Sequence, residues 1–302
     1  MSGSSTNQTL SFLMRRFEEA GIRPHTRFGQ NFLIDMNLQR VLLEAGELGG
    51  GDVVLEVGTG TGSLTLLMAR AAAHVVTVEI DRQLFQLAGE ELFGQENITM
   101  LQLDALKNKN RLNPAMLGEV DRRLAEVPGR RLKLVANLPY NVATPIISNL
   151  LALDAPPYSM IVTIQKELAD RITAPPGKKD YGGLSIWMQS QCRIETVRVL
   201  PPTVFWPRPK VTSAIIRITL DDQLRARIPN RQFFHGFVRA MFFHRRKFLG
   251  SELVSAFKKR LDKPQVDAIL DEIGIEGTAR AEELDVATML TLCEAVRRQV
   301  GD

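Results

Sequence analysis

The chain of 302 residues reads as an α/β protein, with a mostly parallel seven-stranded sheet and crossover helices followed by a small all-α region. Three observations predict this. Short β-branched runs alternate with helical segments from Asp52 to Leu220, the signature of parallel βαβ units. The first of those runs enters a glycine-rich turn that opens a helix. Beyond Asp221-Asp222 the strand-like alternation stops and only helical patterns follow.

Taken in order, the start is rich in Ser and Thr, lacks acids up to Arg16, and is faintly like an organelle presequence. An amphipathic helix with Leu10, Leu13, Met14 and Phe17 on one face, ended by Gly21, is the simpler account. Strands are expected at Val53–Val57, Val75–Ile80, Ile98–Leu103, Leu132–Ala136, Met160–Gln165, Arg193–Leu200 and Val211–Leu220. Helices are expected near Arg231–Phe243, Ser251–Arg260, Pro264–Ile273 and Val286–Gln299, so residues 221–302 form a small helical domain after a larger one in 1–220.

Composition sets limits. At 44% hydrophobic the chain can bury a full core. A net charge of +4 with a sequence pI near 9.2 permits a polyanionic partner without demanding one. Cys192 and Cys293 lie far apart in apolar surroundings, which fits free buried thiols and a reducing, cytoplasmic setting. No apolar run approaches the ~18 residues of a membrane span. His25, His74, His235 and His244 have no metal-ligand spacing with one another or with the cysteines, and no metal is expected.

The chemistry is concentrated at strand ends, where open α/β sheets bind ligands. The first strand runs into Glu56-Val57-Gly58-Thr59-Gly60-Thr61-Gly62, whose glycines allow a tight turn and close backbone approach. A dinucleotide, a phosphate or merely a tight turn would explain that loop alone. Glu79 ends the second strand, where a carboxylate can accept from both hydroxyls of a ribose. Asp104 ends the third, within reach of an adenine amino group. A nicotinamide dehydrogenase would share the glycines and Glu79, so these residues leave that reading open.

The fourth strand ends in Asn137-Leu138-Pro139-Tyr140. An adenine N6 amine is a poor nucleophile because its lone pair is delocalised into the ring. Acceptors aimed at its two N–H groups favour a more tetrahedral nitrogen, and the Asn137 side-chain oxygen and Leu138 carbonyl are suited to that. Pro139 fixes its own φ and biases Leu138 towards an extended conformation. Tyr140 is placed to stack on a base, a contact worth roughly 1–3 kcal/mol. With Asp104, the tetrapeptide favours S-adenosylmethionine over a nicotinamide cofactor.

Arg27-Phe28-Gly29-Gln30-Asn31-Phe32-Leu33, the glycine loop, Glu79, Asp104, Asn137-Leu138-Pro139-Tyr140-Asn141 and Phe205-Trp206-Pro207-Arg208-Pro209-Lys210-Val211 occur in one order. Together they resemble the ribosomal RNA adenine N6-dimethyltransferase family, and most of all its small-subunit branch. That branch dimethylates two adjacent adenines in a hairpin loop near the 3′ end of 16S rRNA. The resemblance runs roughly from Pro24 to Val296 and takes in Tyr181-Gly182-Gly183-Leu184-Ser185 and Arg245-Arg246-Lys247.

The resemblance implies a Rossmann-like class I S-adenosylmethionine-dependent methyltransferase fold in residues 1–220 and an RNA-binding domain in 221–302. It implies that Asn31 and Leu33 close over the cofactor, Gly58 and Gly60 lie beneath it, Glu79 holds its ribose and Asp104 its adenine. Asn137 would touch both the methionine side and the target amine, with Leu138 and Pro139 beside it. Tyr140 and Phe205 would sandwich the flipped base. A rigid Pro loop with a core aromatic is the other account of Phe205. The implied partner is 16S rRNA in the small subunit or its precursor, met by a monomer.

Three departures stand out. Thr59 stands where many relatives have Pro, Thr212 where Asp is common, and Ala105 to Arg131 is longer and more basic than usual, as an added surface helix or an RNA contact would be. RNA binding has a local basis. Residues 221–302 hold 14 Lys/Arg against 13 acids, but Arg239 to Lys263 hold eight against two, a patch suited to phosphates. Arg245, Arg246 and Lys247 carry that expectation most, along with Arg208 and Lys210 before the last strand. A large-subunit adenine methylase of the antibiotic-resistance kind and a non-catalytic RNA-binding assembly factor are the alternatives. Arg245-Arg246-Lys247 and Gly274-Ile275 followed by Arg280-Ala281-Glu282 argue against the first, and the intact glycine loop and Asn137 against the second.

Overall fold

The computed structural model describes residues 10–24, 29–244 and 247–301. Strands β1 (Asp52–Val57), β2 (His74–Glu79), β3 (Ile98–Gln102), β4 (Arg131–Asn137), β5 (Ser159–Gln165), β6 (Cys192–Leu200) and β7 (Ser213–Leu220) form one sheet, in the order β3-β2-β1-β4-β5-β7-β6. All seven expected strands are present, each ending within two residues of its expected limits. The pairs β1–β2, β1–β4, β2–β3 and β4–β5 are parallel, and β7 runs antiparallel to β5. Every residue of β1 and β2 is buried, as strands covered on both faces must be.

The topology positions the site. From β1 the chain winds outward to β3, then returns to the other side of β1 as β4, so strand order reverses between β1 and β4 and leaves a crevice at their carboxyl ends. Leu55 of β1 pairs with Leu134 of β4. Three residues further along, Gly58 leaves the sheet beside Asn137, the last residue of β4.

The chain divides into two compact units, Met1–Ala169 with Glu195–Thr219, and Asp170–Ile194 with Leu220–Asp302. In the first, α1 (Leu10–Glu19) buries Leu13 and Phe17 against Leu84 and Leu87. Its apolar face is narrower than expected, because Leu10 and Met14 stay exposed. Helix α2 (Met36–Gly46) begins where the Asp35 carboxylate accepts from the Asn37 and Leu38 N–H groups. Helix α3 (Ser63–Ala69) leaves the glycine loop, and α4 (Arg82–Glu91) is capped in the same way by Asp81. The basic segment after Asp104 forms a short antiparallel ribbon, Leu106–Asn108 with Arg111–Leu112, and then α5 (Pro114–Ala125). On α5, Glu119 pairs with Arg122 and Arg123, and Glu126 with Arg122, Arg123 and Arg130. The Arg122 hydrogen bond, followed by that of Arg123, holds the Glu119 carboxyl down at about 2 despite some desolvation. These arginines are matched within their own segment, as on a solvated surface helix. Helix α6 (Ala143–Leu151) starts at the Thr144-Pro145 signal, and α7 (Lys166–Thr173) follows β5 directly.

The second unit takes up Asp170–Ile194, a stretch that a boundary at 220 leaves in the first. Its side chains explain this. In α8 (Gly183–Gln189), Trp187 stacks on His235 with ring centroids 4.3 Å apart, and the buried Tyr181 hydroxyl donates to the Leu284 carbonyl at 2.9 Å. A short turn α9 (Asp222–Arg225) precedes α10 (Arg231–Met241), α11 (Leu249–Ala256), α12 (Lys263–Glu272) and α13 (Val286–Val300), close to the four expected helices. Cys192 and Cys293 are free and buried, and burial pushes the Cys192 thiol up to about 12. Among the described residues no helix is long and apolar enough to cross a membrane.

Candidate active site

A cavity of about 260 Å³ opens at the carboxyl ends of β1, β2 and β4, within the first unit. Its floor is the loop after β1, where Gly58 (φ +89°) and Gly60 (φ +58°) occupy the left-handed region that disfavours side chains. A Cβ at Gly58 would press on the Pro139 ring at 3.4 Å, and one at Gly60 on the Phe32 ring at 3.3 Å. The loop thus lies flush against the tetrapeptide on one side and the segment before α2 on the other.

Glu79 lies at the cavity edge, almost wholly buried. Its Oε2 accepts from the Gly60 N–H at 3.0 Å and its Oε1 from the Asp81 N–H at 3.0 Å. Burial raises its pKa, opposed by those backbone bonds. Each carboxylate oxygen retains a second lone pair, so a diol donating two hydrogen bonds fits it. Asp104 lines the same cavity and is exposed, its Oδ1 accepting from the Leu106 N–H at 2.8 Å. Ile80, Leu84 and Leu103 supply an apolar wall that motif reading did not single out. The signal available in the sequence was the apolar Ile80 directly after Glu79 at the strand end; in the structure it is exposed.

Asn137 is the least satisfied group in the site. Its Nδ2 donates to the Asn31 carbonyl at 2.8 Å, while its Oδ1 is buried with no hydrogen-bond partner among the described residues. Leu138 is buried and its N–H donates to the Thr163 carbonyl at 3.2 Å, which ties the tetrapeptide to β5.

A second cavity, about 530 Å³, adjoins the first. Gly29, Gln30, Asn31 and Asn141 line both. Pro24, Tyr140, Gln165 and Pro207–Val211 complete the second, which places Arg208 and Lys210 on its wall. The Tyr140 hydroxyl lies 2.6 Å from the Ser213 Oγ at the start of β7, and burial raises its pKa. No motif pointed to Ser213 or Gln165.

Two expected site residues are elsewhere. Phe32–Leu33 and Phe205–Trp206 form a two-residue antiparallel ribbon, with Leu33 opposite Phe205 and Phe32 opposite Trp206. Side chains alternate across such a ribbon, so each pair faces one side. Leu33 and Phe205 face the core, packed with Leu38, Leu42 and Leu200. Phe32 and Trp206 stack on the other side with Phe17 against them. Leu33 lines neither cavity, and Phe205 supplies no second face to Tyr140 in this conformation. Lys247 is exposed in the second unit, while Arg245 and Arg246 lie outside the described residues, as do Arg27 and Phe28.

A carboxylate for a diol, a side-chain-free floor, an apolar wall and an acid for an exocyclic amine suit a nucleoside cofactor. The dehydrogenase reading shares the first two features, but not a buried amide oxygen in the first cavity's wall that has no hydrogen-bond partner among the described residues. The fold and site define an S-adenosylmethionine-dependent methyltransferase of the Rossmann-like class.

Residues 21–297 match the family described as ribosomal RNA adenine dimethylase. A protein named ribosomal RNA small subunit methyltransferase A from Lactiplantibacillus plantarum is 40% identical over 281 residues, covering 92% of each chain. One of the same name from Geobacillus thermodenitrificans is 39% identical over 269 residues, 89% of each. In fold, the chain resembles a dimethyladenosine transferase from Plasmodium falciparum, with a TM-score of 0.72 at 21% identity over 88% of this chain and 97% of that one. A 23S rRNA methyltransferase, ErmE, gives 0.59 at 24% identity over 90% and 100%. The chain belongs to the ribosomal RNA adenine dimethylase family.

Proposed function

We propose that this enzyme methylates N6 of two adjacent adenines in the 3′-terminal hairpin loop of 16S rRNA, twice each, within the small ribosomal subunit or its precursor. It acts as a cytoplasmic monomer in small-subunit biogenesis. S-adenosylmethionine supplies an electrophilic methyl on a sulfonium, which leaves as a thioether. The chain's residues do the rest by positioning. Glu79 accepts from the ribose hydroxyls, Asp104 from the adenine amino group, and Gly58 and Gly60 admit the ligand to the backbone. The target base leaves its stack, enters the second cavity and lies on Tyr140. Arg208 and Lys210 meet its flanking phosphates, and Arg245, Arg246 and Lys247 contribute further phosphate contacts.

The observation that carries this reading is the buried Asn137 Oδ1, which has no hydrogen-bond donor among the described residues. A buried acceptor left unpaired costs about 1–3 kcal/mol, and a target N6–H relieves that cost as the nitrogen becomes tetrahedral. The Leu138 carbonyl accepts the second N–H. The nitrogen lone pair forms the new C–N bond as the C–S bond breaks, and the methylated amine then loses a proton to water, so no strong base is needed.

The test incubates the protein with methyl-labelled S-adenosylmethionine and separated, unmodified ribosomal subunits, then maps the modified bases. Label at two adjacent adenines near the 16S 3′ end is the expected result. Label entering only the large subunit would replace this reading with the antibiotic-resistance type, and no transfer with the assembly-factor reading.

A further inference from the structure

Beneath the glycine loop runs a buried chain of hydroxyls that cofactor contacts do not account for. The Thr65 and Thr77 hydroxyls both lie against Glu56 Oε2, at 2.6 and 2.7 Å, and Thr77 Oγ1 is 2.6 Å from Thr59 Oγ1. Glu56, Thr59, Thr65 and Thr77 are all buried. A threonine has one hydroxyl proton. Thr77 gives its own to Glu56, so Thr59 is the donor to Thr77, and the chain runs from Thr59 through Thr77 to Glu56. Its elements are separate: Glu56 is on β1, Thr77 on β2 and Thr65 on α3.

Thr59 lies between Gly58 and Gly60, both in the left-handed region and both lining the cavity, and it turns its side chain away from the ligand into this chain. Neither glycine has a side chain to fix the loop. On the cavity face the loop is held by the Gly60 N–H on Glu79, a carboxylate that the ribose also claims. The backbone bonds from Gly58 and Thr59 to the Val78 carbonyl, at 2.9 and 3.3 Å, converge on one acceptor.

We infer that Thr59 is a positioning residue for S-adenosylmethionine, holding the glycine loop at ligand-binding height through Thr77 and the Glu56 carboxyl. The residue stands where the family resemblance leads one to expect Pro, which would fix the backbone without this tether and would lose the Thr59 N–H bond. The inference rests on the cofactor occupying the first cavity.

The experiment compares the wild-type chain with Thr59→Val and Thr59→Ser. Valine keeps the shape and removes the donor, while serine keeps the donor. Titration calorimetry with S-adenosylmethionine is the primary readout, alongside cofactor KM, kcat at saturating cofactor, affinity for 16S rRNA and thermal stability without ligand. Thr59→Val is expected to weaken cofactor binding by about tenfold, as loss of one buried hydrogen bond would. KM should rise in step, kcat and RNA affinity should stay within twofold, and Thr59→Ser should recover wild-type binding. The double variant Thr59→Val/Thr77→Val should bind the cofactor no more weakly than Thr77→Val alone, because both cut one chain. Cofactor affinity within twofold of wild type in Thr59→Val, or a melting-temperature loss that serine does not rescue, would overturn the inference. Absence of binding by the wild-type chain would instead remove the cofactor assignment itself.

Discussion

Asn137 offers the most discriminating perturbation, because its two amide atoms have separable tasks. Asn137→Ala removes the Nδ2 bond to the Asn31 carbonyl at 2.8 Å and the unpaired Oδ1 together. Loss of an acceptor that engages only as charge develops on the amine corresponds to about 10²–10³ in kcat, by analogy with oriented donors at oxyanions. The stranded Asn31 carbonyl costs about 1–3 kcal/mol on top, felt as weaker cofactor affinity because Asn31 lines the cavity. Asn137→Asp keeps an acceptor but turns an oxygen towards the Asn31 carbonyl, so it should harm cofactor binding more than Asn137→Ala does. Single-turnover transfer of labelled methyl to unmodified small subunits, at saturating cofactor, isolates the chemical step. RNA affinity measured by filter binding should change by no more than about threefold, since uniform binding is not what the amide provides. A kcat within tenfold of wild type for Asn137→Ala would refute the reasoning.

Three further outcomes are expected. Replacing Arg208 and Lys210 together with Ala should weaken RNA binding and flatten the slope of log affinity against log salt by about 0.7–0.9 for each phosphate no longer neutralised; an unchanged slope removes them from the interface. Leu33→Ala should lower stability by about 2–5 kcal/mol, as for a core leucine. Its cofactor affinity at a temperature where it is folded should remain near wild type, and a selective loss of that affinity would restore Leu33 to the site. Glu56 gives a pH signature: burial raises its pKa from 4.5 to about 8, against the opposing Thr65 and Thr77 hydrogen bonds and with a minor contribution from the Glu79 charge. The folded state therefore holds a proton that the unfolded state has lost between those values. Stability should fall as pH rises from about 4.5 to about 8 and level off above, by on the order of a few kcal/mol. Glu56→Gln should remove that component in melting curves taken across pH, and an identical pH profile would contradict it.

The seven strands were legible because each is a short β-branched run, buried on both faces in β1 and β2, with the chemistry placed at their ends. Glu79, Asp104 and Asn137 could be read as a set for that reason. What could not be read is anything decided by pairing across long stretches of sequence. The ribbon of Phe32–Leu33 with Phe205–Trp206 determines which of two adjacent apolar residues faces the core, and a one-residue change in pairing would have exchanged them. Ser213 reaches Tyr140 only because β7 is laid beside β5. Asp170–Ile194 belongs to the helical unit because Trp187 and Tyr181 find partners at His235 and Leu284, which no local pattern announces.

The orientation of the Asn137 amide joins these two kinds of information. Sequence supplies an asparagine at a strand end, but a side-chain amide can present either its donor or its acceptor to a ligand. The Asn31 carbonyl decides between them. A carbonyl can only accept, so it fixes the NH₂ group towards Asn31 and leaves the oxygen as the free end. Asn31 itself lines both cavities, and Asn137 lines the first beside the tetrapeptide's Pro139. The segment before β1 therefore does more than line the two cavities. By holding one end of the amide it makes the other an acceptor, and an amine can be drawn towards that acceptor only while the segment is in place.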